Sequence, residues 1–221
     1  YVHIPFCAVR CHYCDFNTFA GLDDRFESYT EALISEIRQA GAGRGRPPVR
    51  TVFIGGGTPT ILPMGLLLAL LDAIRKNFSL SAQAEISIEA NPGTVTRESL
   101  TRLLHAGINR ISLGIQSFND LELCMLGRRY RQSVARQAVL SAKEAGFDNL
   151  SIDLIYAVPG QADADWDARL CGCLDGAAGL GVVAAVGEAA CGGGLLDVVE
   201  AVARGLARFP QVQLAHAGIV D

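Results

Sequence analysis

Three thiols fall on one short stretch at the start of the chain, Tyr1-Val-His-Ile-Pro-Phe-Cys7-Ala-Val-Arg-Cys11-His-Tyr-Cys14-Asp-Phe16. The spacing C-x3-C-x2-C can gather three sulfurs around one centre, which suits three corners of a cubane iron-sulfur cluster and leaves the fourth corner without a protein ligand. An open corner is where substrate can bind, as at a catalytic zinc that keeps one position vacant. Two other chemistries stay open at this point. A structural zinc site needs a fourth ligand, which His12 or a distant cysteine would have to supply. A disulfide is disfavoured by the odd total of seven cysteines and by the absence of a charged, cleavable leader.

The strands and helices that must position this loop alternate along the chain. Residues 1–4 read as a short strand delivering the cysteines. Apolar residues at three- and four-residue steps, Phe26, Tyr29, Leu33, Ile34 and Ile37, predict a helix over residues 23–40 stopped by Gly41. Residues 41–48 form a connecting loop. Residues 51–54 then read as a buried strand ended by Gly55-Gly56-Gly57-Thr58-Pro59-Thr60, and Pro63 opens a helix over residues 66–78. The pattern repeats with a strand at 84–89, the turn Asn91-Pro92-Gly93, a helix at 96–105, a strand at 110–115, helices from Asn119 and Gln132, and a strand at 150–155. Gly107 and Gly146 stand as matching helix stops before the last two strands.

Apolar strands separated by helices argue for a parallel sheet covered by helices, either doubly wound or a barrel, and the pattern alone does not choose between them. The polar residues with chemical potential gather at the C-terminal ends of successive strands, where an α/β barrel builds its site. A complete eight-stranded barrel takes about 250 residues, so this chain of 221 residues predicts an open, partial barrel.

Each strand end carries a candidate with a plainer alternative. Gly56, Gly57 and Thr58 bring backbone N–H groups close to a ligand, or make only a tight turn, since the Gly-Lys-Ser/Thr ending of a phosphate loop is missing. Glu89 is an inward carboxylate or a solvated loop acid. Gln116 follows the strand at 110–115 and reads equally as a turn amide. Arg128 can fork onto a carboxylate or lie at a surface helix end. Asp153 is a lone charge in the apolar run Ser151-Ile152-Asp153-Leu154-Ile155-Tyr156, and a buried carboxylate needs partners: ligand hydroxyls, or a salt bridge. Cys124 reads as a small core residue, and His3, His105 and His216 are given no catalytic role.

The cysteine loop and these spaced motifs resemble the radical S-adenosylmethionine (radical SAM) superfamily. Within it, the flanks Tyr1 to Phe6 and Cys14-Asp15-Phe16 are similar to the branch of oxygen-independent coproporphyrinogen III oxidase and its heme-chaperone relative. The oxidases carry a further cysteine two residues beyond the third ligand, where this chain has Phe16, which favours the chaperone-like group. The resemblance implies an α/β fold, a partial open parallel β/α barrel of five to six βα units, over residues 1–161. It implies a [4Fe-4S] cluster on Cys7, Cys11 and Cys14, and SAM bound by Gly56, Gly57, Thr58, Glu89, Gln116, Arg128 and Asp153. Tyr13 is expected beside the adenine, and Tyr1 is expected to line the site or to pack in its strand. Heme or a porphyrinogen is the implied further ligand, with a heme-acceptor protein and an electron donor such as flavodoxin as partners.

The branch implies either a heme chaperone or an oxidase that decarboxylates porphyrinogen propionates. A third reading is an incomplete gene product without activity, suggested by the missing initiator methionine and by residues 162–221. That Ala/Gly-rich tail loses the family pattern and reads as divergent, truncated or frameshifted. It holds Cys171, Cys173 and Cys191, a helix at 162–175 anchored by Trp166 and Leu170, a weak strand at 182–186 and an amphipathic helix at 195–209. A net charge of −4 without a Lys/Arg run gives no footprint for nucleic acid or anionic membrane. No apolar run is long enough to span a bilayer, so no membrane insertion is expected and the cytoplasm is the default location.

Overall fold

The computed structural model describes residues 1–43, 45–156, 158–161, 180–186 and 212–215, with Tyr156 and the last two segments described as backbone. The strands of the main sheet, in chain order, are β1 (Val2–Ile4), β4 (Pro48–Gly56), β5 (Ser79–Ala90), β6 (Arg110–Gln116), β7 (Asn149–Tyr156), β8 (Leu180–Val186) and β9 (Val212–Ala215). They lie side by side in that order, every pair parallel. A two-stranded parallel ribbon, β2 (Phe6–Cys7) with β3 (Phe19–Ala20), stands apart from it. The helices are α1 (Phe26–Ala42), α2 (Met64–Asn77), α3 (Arg97–His105), α4 (Asp120–Met125) and α5 (Gln132–Ala145). Among the described residues the sheet therefore keeps two edges, β1 and β9, and the barrel is open.

Alternation along each strand divides the sheet into two unlike faces. One face sends Val2, Ile4, Val52, Ile54, Ile86, Ile88, Ile111, Leu113, Leu150, Ile152 and Leu154 into a buried cluster with Phe26, Ile37, Leu67, Leu70, Ile74, Leu100, Leu103 and Ala138 from the helices. This is the hydrophobic core, and it lies between sheet and helices. The other, inner face carries Tyr1, His3, Phe53, Gly55, Ser87, Glu89, Arg110, Ser112, Gly114, Gln116, Ser151 and Asp153.

The local chemistry of the turns matches the predicted element order. Thr96 and Ser99 form a reciprocal capping box that starts α3. Asn119 Oδ1 caps α4 by accepting from the N–H groups of Leu121 and Glu122. Gly107 and Gly146 end α3 and α5 at φ +86° and +100°, the left-handed stops expected of them. Gly41 is a different case. It does not stop α1, which runs on to Ala42. A Cβ on Gly41 would lie 2.4 Å from the Asn77 carbonyl oxygen, so its missing side chain is what lets α1 pass close to the end of α2.

Five strands of the main sheet precede residue 162, as expected. The weak strand expected at 182–186 is present as β8, and β9 follows it without having been foreseen. The helices expected at 162–175 and 195–209, together with Cys171, Cys173, Cys191 and His216, lie outside the described residues. Among the described residues no helix is long and apolar enough to cross a membrane.

Candidate functional site

The cysteine loop leaves the sheet at the C-terminal end of β1 and is closed at its neck by the β2–β3 ribbon, where Phe6 pairs with Phe19 and Cys7 with Ala20. The Phe19 N–H donates to the Pro5 carbonyl at 2.7 Å. The loop is also fastened at its far side. The His12 N–H donates to Leu126 O, and the His12 ring nitrogen Nδ1 donates to Met125 O at 3.0 Å. Gly127, at φ +75°, leaves room for that ring, since a Cβ there would lie 3.2 Å from it. His12 is thus occupied by the end of α4. All three cysteines of the loop are free thiols, as is Cys124, which is exposed on α4 and not in the core.

The loop roofs a cavity of about 380 Å³ on the inner face of the sheet, at the C-terminal ends of β4 to β7. Cys7, Cys11, Cys14, Tyr13, Gly56, Gly57, Thr58, Glu89, Gln116, Arg128 and Asp153 all line it. Strand ends that are distant in sequence converge here because the sheet is parallel and every strand ends on the same side. Tyr1 is the exception among the candidates. It stacks on Phe53 with ring centroids 5.8 Å apart, places its hydroxyl 2.8 Å from His3 Nδ1, and is 74% exposed, outside the cavity lining.

The glycine run after β4 is bound to the root of the loop. Gly57 N–H donates to Ile4 O and Thr58 N–H to Phe6 O, each at 2.8 Å. A Cβ on Gly57 would meet Phe6 O at 2.6 Å and Cys7 Sγ at 3.0 Å. Hydroxyls flank two of the sulfurs, Thr58 Oγ1 at 3.6 Å from Cys7 Sγ and Thr18 Oγ1 at 3.8 Å from Cys14 Sγ.

Two carboxyls face the cavity from below. Glu89 accepts from the Gly56 N–H at 2.9 Å. Burial pushes it up to about 7, Asp153 adds to the rise, and the Gly56 bond opposes it. Asp153 is raised to about 6 by burial, against the Ser112 hydrogen bond and the positive charges of Arg110 and Arg128.

Arg128 is held between two aromatic rings, 5.6 Å from the Tyr13 centroid and 5.8 Å from that of Tyr130. Its Nη2 donates to the Tyr13 hydroxyl. Its Nε is buried and has no hydrogen-bond partner, the one such side-chain nitrogen or oxygen among the described residues. Gln116 sits at φ +67° beside an irregularity in the β6–β7 register between Leu113 and Gln116. Tyr130 stabilises that stretch, its hydroxyl lying 2.9 Å from the carbonyl oxygens of both Gly114 and Ile115.

Tyr130, Thr18, Gly114 and Gly127 belong to the site and were not singled out from the sequence. Only the aromatic beside Arg128-Arg129 and a hydroxyl four residues past Cys14 hinted at two of them. The donor set decides what the thiols can hold. Among the described residues no group of three or more His, Cys, Asp or Glu side chains is arranged around a single metal ion. A cubane differs, because each thiolate takes a different iron and the sulfurs need not converge on a point. The cysteine loop fits a cluster, and the unpartnered Arg128 Nε beside it fits an anionic group on a second ligand.

Comparison with known proteins accords with this geometry. The radical SAM superfamily profile matches residues 1–170. The heme chaperone HemW of Bacillus subtilis is 41% identical over 162 residues, 73% of this chain and 43% of that protein. HemW of Escherichia coli is 39% identical over 163 residues, with the same shares. The chain therefore spans less than half the length of these relatives. Among solved structures, the radical SAM enzyme coproporphyrinogen III oxidase HemN of Escherichia coli superposes with a TM-score of 0.81 at 28% identity, over 95% of this chain and 51% of that one. The [FeFe]-hydrogenase maturase HydG of Carboxydothermus hydrogenoformans, 16% identical with a TM-score of 0.61 over all of this chain and 53% of its own, shares the fold. With the profile covering most of its length and three free thiols roofing the cavity where its strands end, this chain belongs to the radical SAM superfamily, whose cofactors are a [4Fe-4S] cluster and SAM.

Proposed function

We propose that Cys7, Cys11 and Cys14 hold the cluster, that SAM lies across the cavity below it, and that the protein to which this chain belongs is a heme chaperone. The observation that carries the SAM site is Arg128, whose buried Nε has no partner while its other face is fixed by Tyr13 and Tyr130. A guanidinium so placed is a preformed fork for the SAM carboxylate.

The other residues then take roles that their positions support. Glu89 receives the amino group or a sugar hydroxyl, Asp153 the ribose, Gln116 a polar edge of the nucleoside, and Tyr13 the adenine face. Gly56, Gly57 and Thr58 present backbone to the methionyl part, and Gly57 keeps open the space beside Cys7 that a side chain would fill. When bound, the cluster and SAM would supply one-electron reductive chemistry at the SAM sulfonium. The protein's part is to orient, to exclude water and to set the charges around the ligand.

The chaperone reading rests on the two relatives named heme chaperones at about 40% identity and on Phe16 in the place of a fourth loop cysteine. Heme is then the further ligand, with a heme-accepting protein as recipient, an electron donor such as flavodoxin, and the cytoplasm as location. Porphyrinogen oxidation is the second reading, favoured by the likeness to HemN.

Anaerobic reconstitution with iron and sulfide, followed by electron paramagnetic resonance of the reduced protein, tests the site. A cubane signal that changes when SAM is added is expected, and a signal indifferent to SAM overturns the assignment. Heme titration followed by absorbance separates the two activities: saturable heme binding without SAM-dependent loss of propionates from coproporphyrinogen III supports the chaperone, and the reverse supports the oxidase.

A further inference from the structure

The inner face of an α/β barrel is usually packed with branched apolar side chains. Here three adjacent strands place serines and charges there instead. Cross-strand register sets Ser87 of β5 opposite Arg110 of β6, and Ser112 of β6 opposite Ser151 of β7. All three serines are buried, so each hydroxyl must find a partner within the protein.

They find one another, in a chain with a single direction. Arg110 Nη2 donates to Ser151 Oγ at 3.3 Å, Ser151 Oγ to Ser112 Oγ at 2.9 Å, and Ser112 Oγ to the Asp153 carboxylate at 3.0 and 3.2 Å. From its other amino group Arg110 donates to Ser87 Oγ at 3.4 Å, and Ser87 donates to Glu85 Oε1 at 2.9 Å. A hydroxyl has one proton to give. Along the first branch each proton is given toward Asp153, which requires that carboxyl to be an acceptor, and each donor polarises the next.

We propose that Arg110, Ser151 and Ser112 are positioning residues that hold Asp153 ionised and aimed into the cavity, so that it can accept hydrogen bonds from the ribose hydroxyls of SAM. The proposal rests on the assignment of Asp153 to the ribose made above. The charged groups that face Asp153 are Glu89 from β5, Arg110 from β6 and Arg128 from the α4–α5 connection. The neighbouring strand β8, Leu-Gly-Val-Val-Ala-Ala-Val, has no titratable side chain. Glu89 repels the Asp153 charge and burial disfavours it. The relay and the two arginines oppose both effects, and without the relay the balance moves toward the protonated acid, which has lost half of its accepting capacity.

The test is equilibrium binding of SAM, and of its 2′,3′-dideoxy analogue, to the oxidised, cluster-loaded protein between pH 5.5 and 8.5. In the wild-type protein SAM affinity should fall as pH drops through about 6, beyond any fall through about 7 that protonation of Glu89 gives both ligands, and the analogue should bind more weakly and lack the fall near 6. Ser112→Ala should move the midpoint to higher pH, leaving SAM about tenfold weaker near pH 6 and about threefold weaker or less at pH 8.5, the size expected of one hydrogen bond to a charged group. Ser151→Ala, which leaves the last link intact, should move it less and in the same direction. Both should leave the analogue unaffected, and if Ser112→Ala does not fold the Ser151→Ala profile decides.

Equal wild-type affinity for SAM and the analogue would show that Asp153 does not meet the ribose, and the underlying assignment fails. Discrimination between the two ligands together with unmoved midpoints in both variants would overturn the relay alone. A uniform loss of affinity at every pH would also overturn it, since that is the signature of a merely structural role.

Discussion

Burial holds two carboxyls, Glu89 and Asp153, on the inner face of the sheet, and both carry raised pKa values, from 4.5 to about 7 and from 3.8 to about 6. The folded, ligand-free protein therefore binds more protons than the unfolded chain between about pH 4 and 7, so its stability falls as pH rises through that window. Above it, removing the charge should stabilise the fold. Glu89→Gln keeps an oxygen that can accept from the Gly56 N–H, and at pH 8 it should raise the thermal midpoint of the apoprotein by roughly 2–4 °C, the shift that about 1 kcal/mol gives in a chain of this size. The same variant should bind SAM at least about tenfold more weakly, the scale of a lost charged hydrogen bond. Differential scanning calorimetry at pH 5 and pH 8 checks the sign: the gain should shrink at the lower pH. Arg128→Met should abolish SAM binding in equilibrium dialysis while the cluster still assembles, because it removes the fork and leaves the three thiols in place.

Among the elements, the glycines show how much a sequence discloses. Gly107 and Gly146 were legible as helix stops because their role is local: each ends a periodic apolar run and takes a positive φ. Gly41 was misread because its role is not local. Its missing side chain answers to Asn77, thirty-six positions later, and no periodicity records that contact. Gly41→Ala should destabilise the protein by about 1–3 kcal/mol, as forced overpacking does, measured as a lowered midpoint in urea with little change of slope. The relay was illegible for a similar reason. A lone serine in a strand reads as an ordinary polar residue until register sets Ser112 beside Ser151. The cysteine loop, by contrast, was legible from its spacing and the strand-end residues from the family resemblance, and the structure brings them to one cavity. For Tyr1 the sequence left site lining and strand packing open, and the structure stacks it on Phe53 outside the cavity lining.

At the scale of the whole molecule, the cluster loop is tied to the ends of β1, β2 and α4 and to the glycine run after β4. A cluster on Cys7, Cys11 and Cys14 would fix the conformation of the loop from which those ties are made. Loading it should raise the thermal midpoint, SAM should raise it further, and chelating the iron should return it to the apoprotein value, because whatever binds only the folded state stabilises it. An apoprotein and holoprotein that melt together would show that the loop is not part of the cooperative fold.

The division of the sheet into a core-facing side and an inner side has one more consequence, visible at two neighbouring positions of β6. Ile111→Ala removes a fully buried side chain from between sheet and helices and should cost about 2–5 kcal/mol. Ser112, one residue on, belongs to the side where charge already works against folding. A substitution there leaves the helix-facing core intact, takes a hydrogen bond from Asp153 and changes what the cavity accepts. The residues that meet the ligand and those that build the core thus alternate along one strand, so a mutation at one position can be read as a change of binding and at the next as a change of stability.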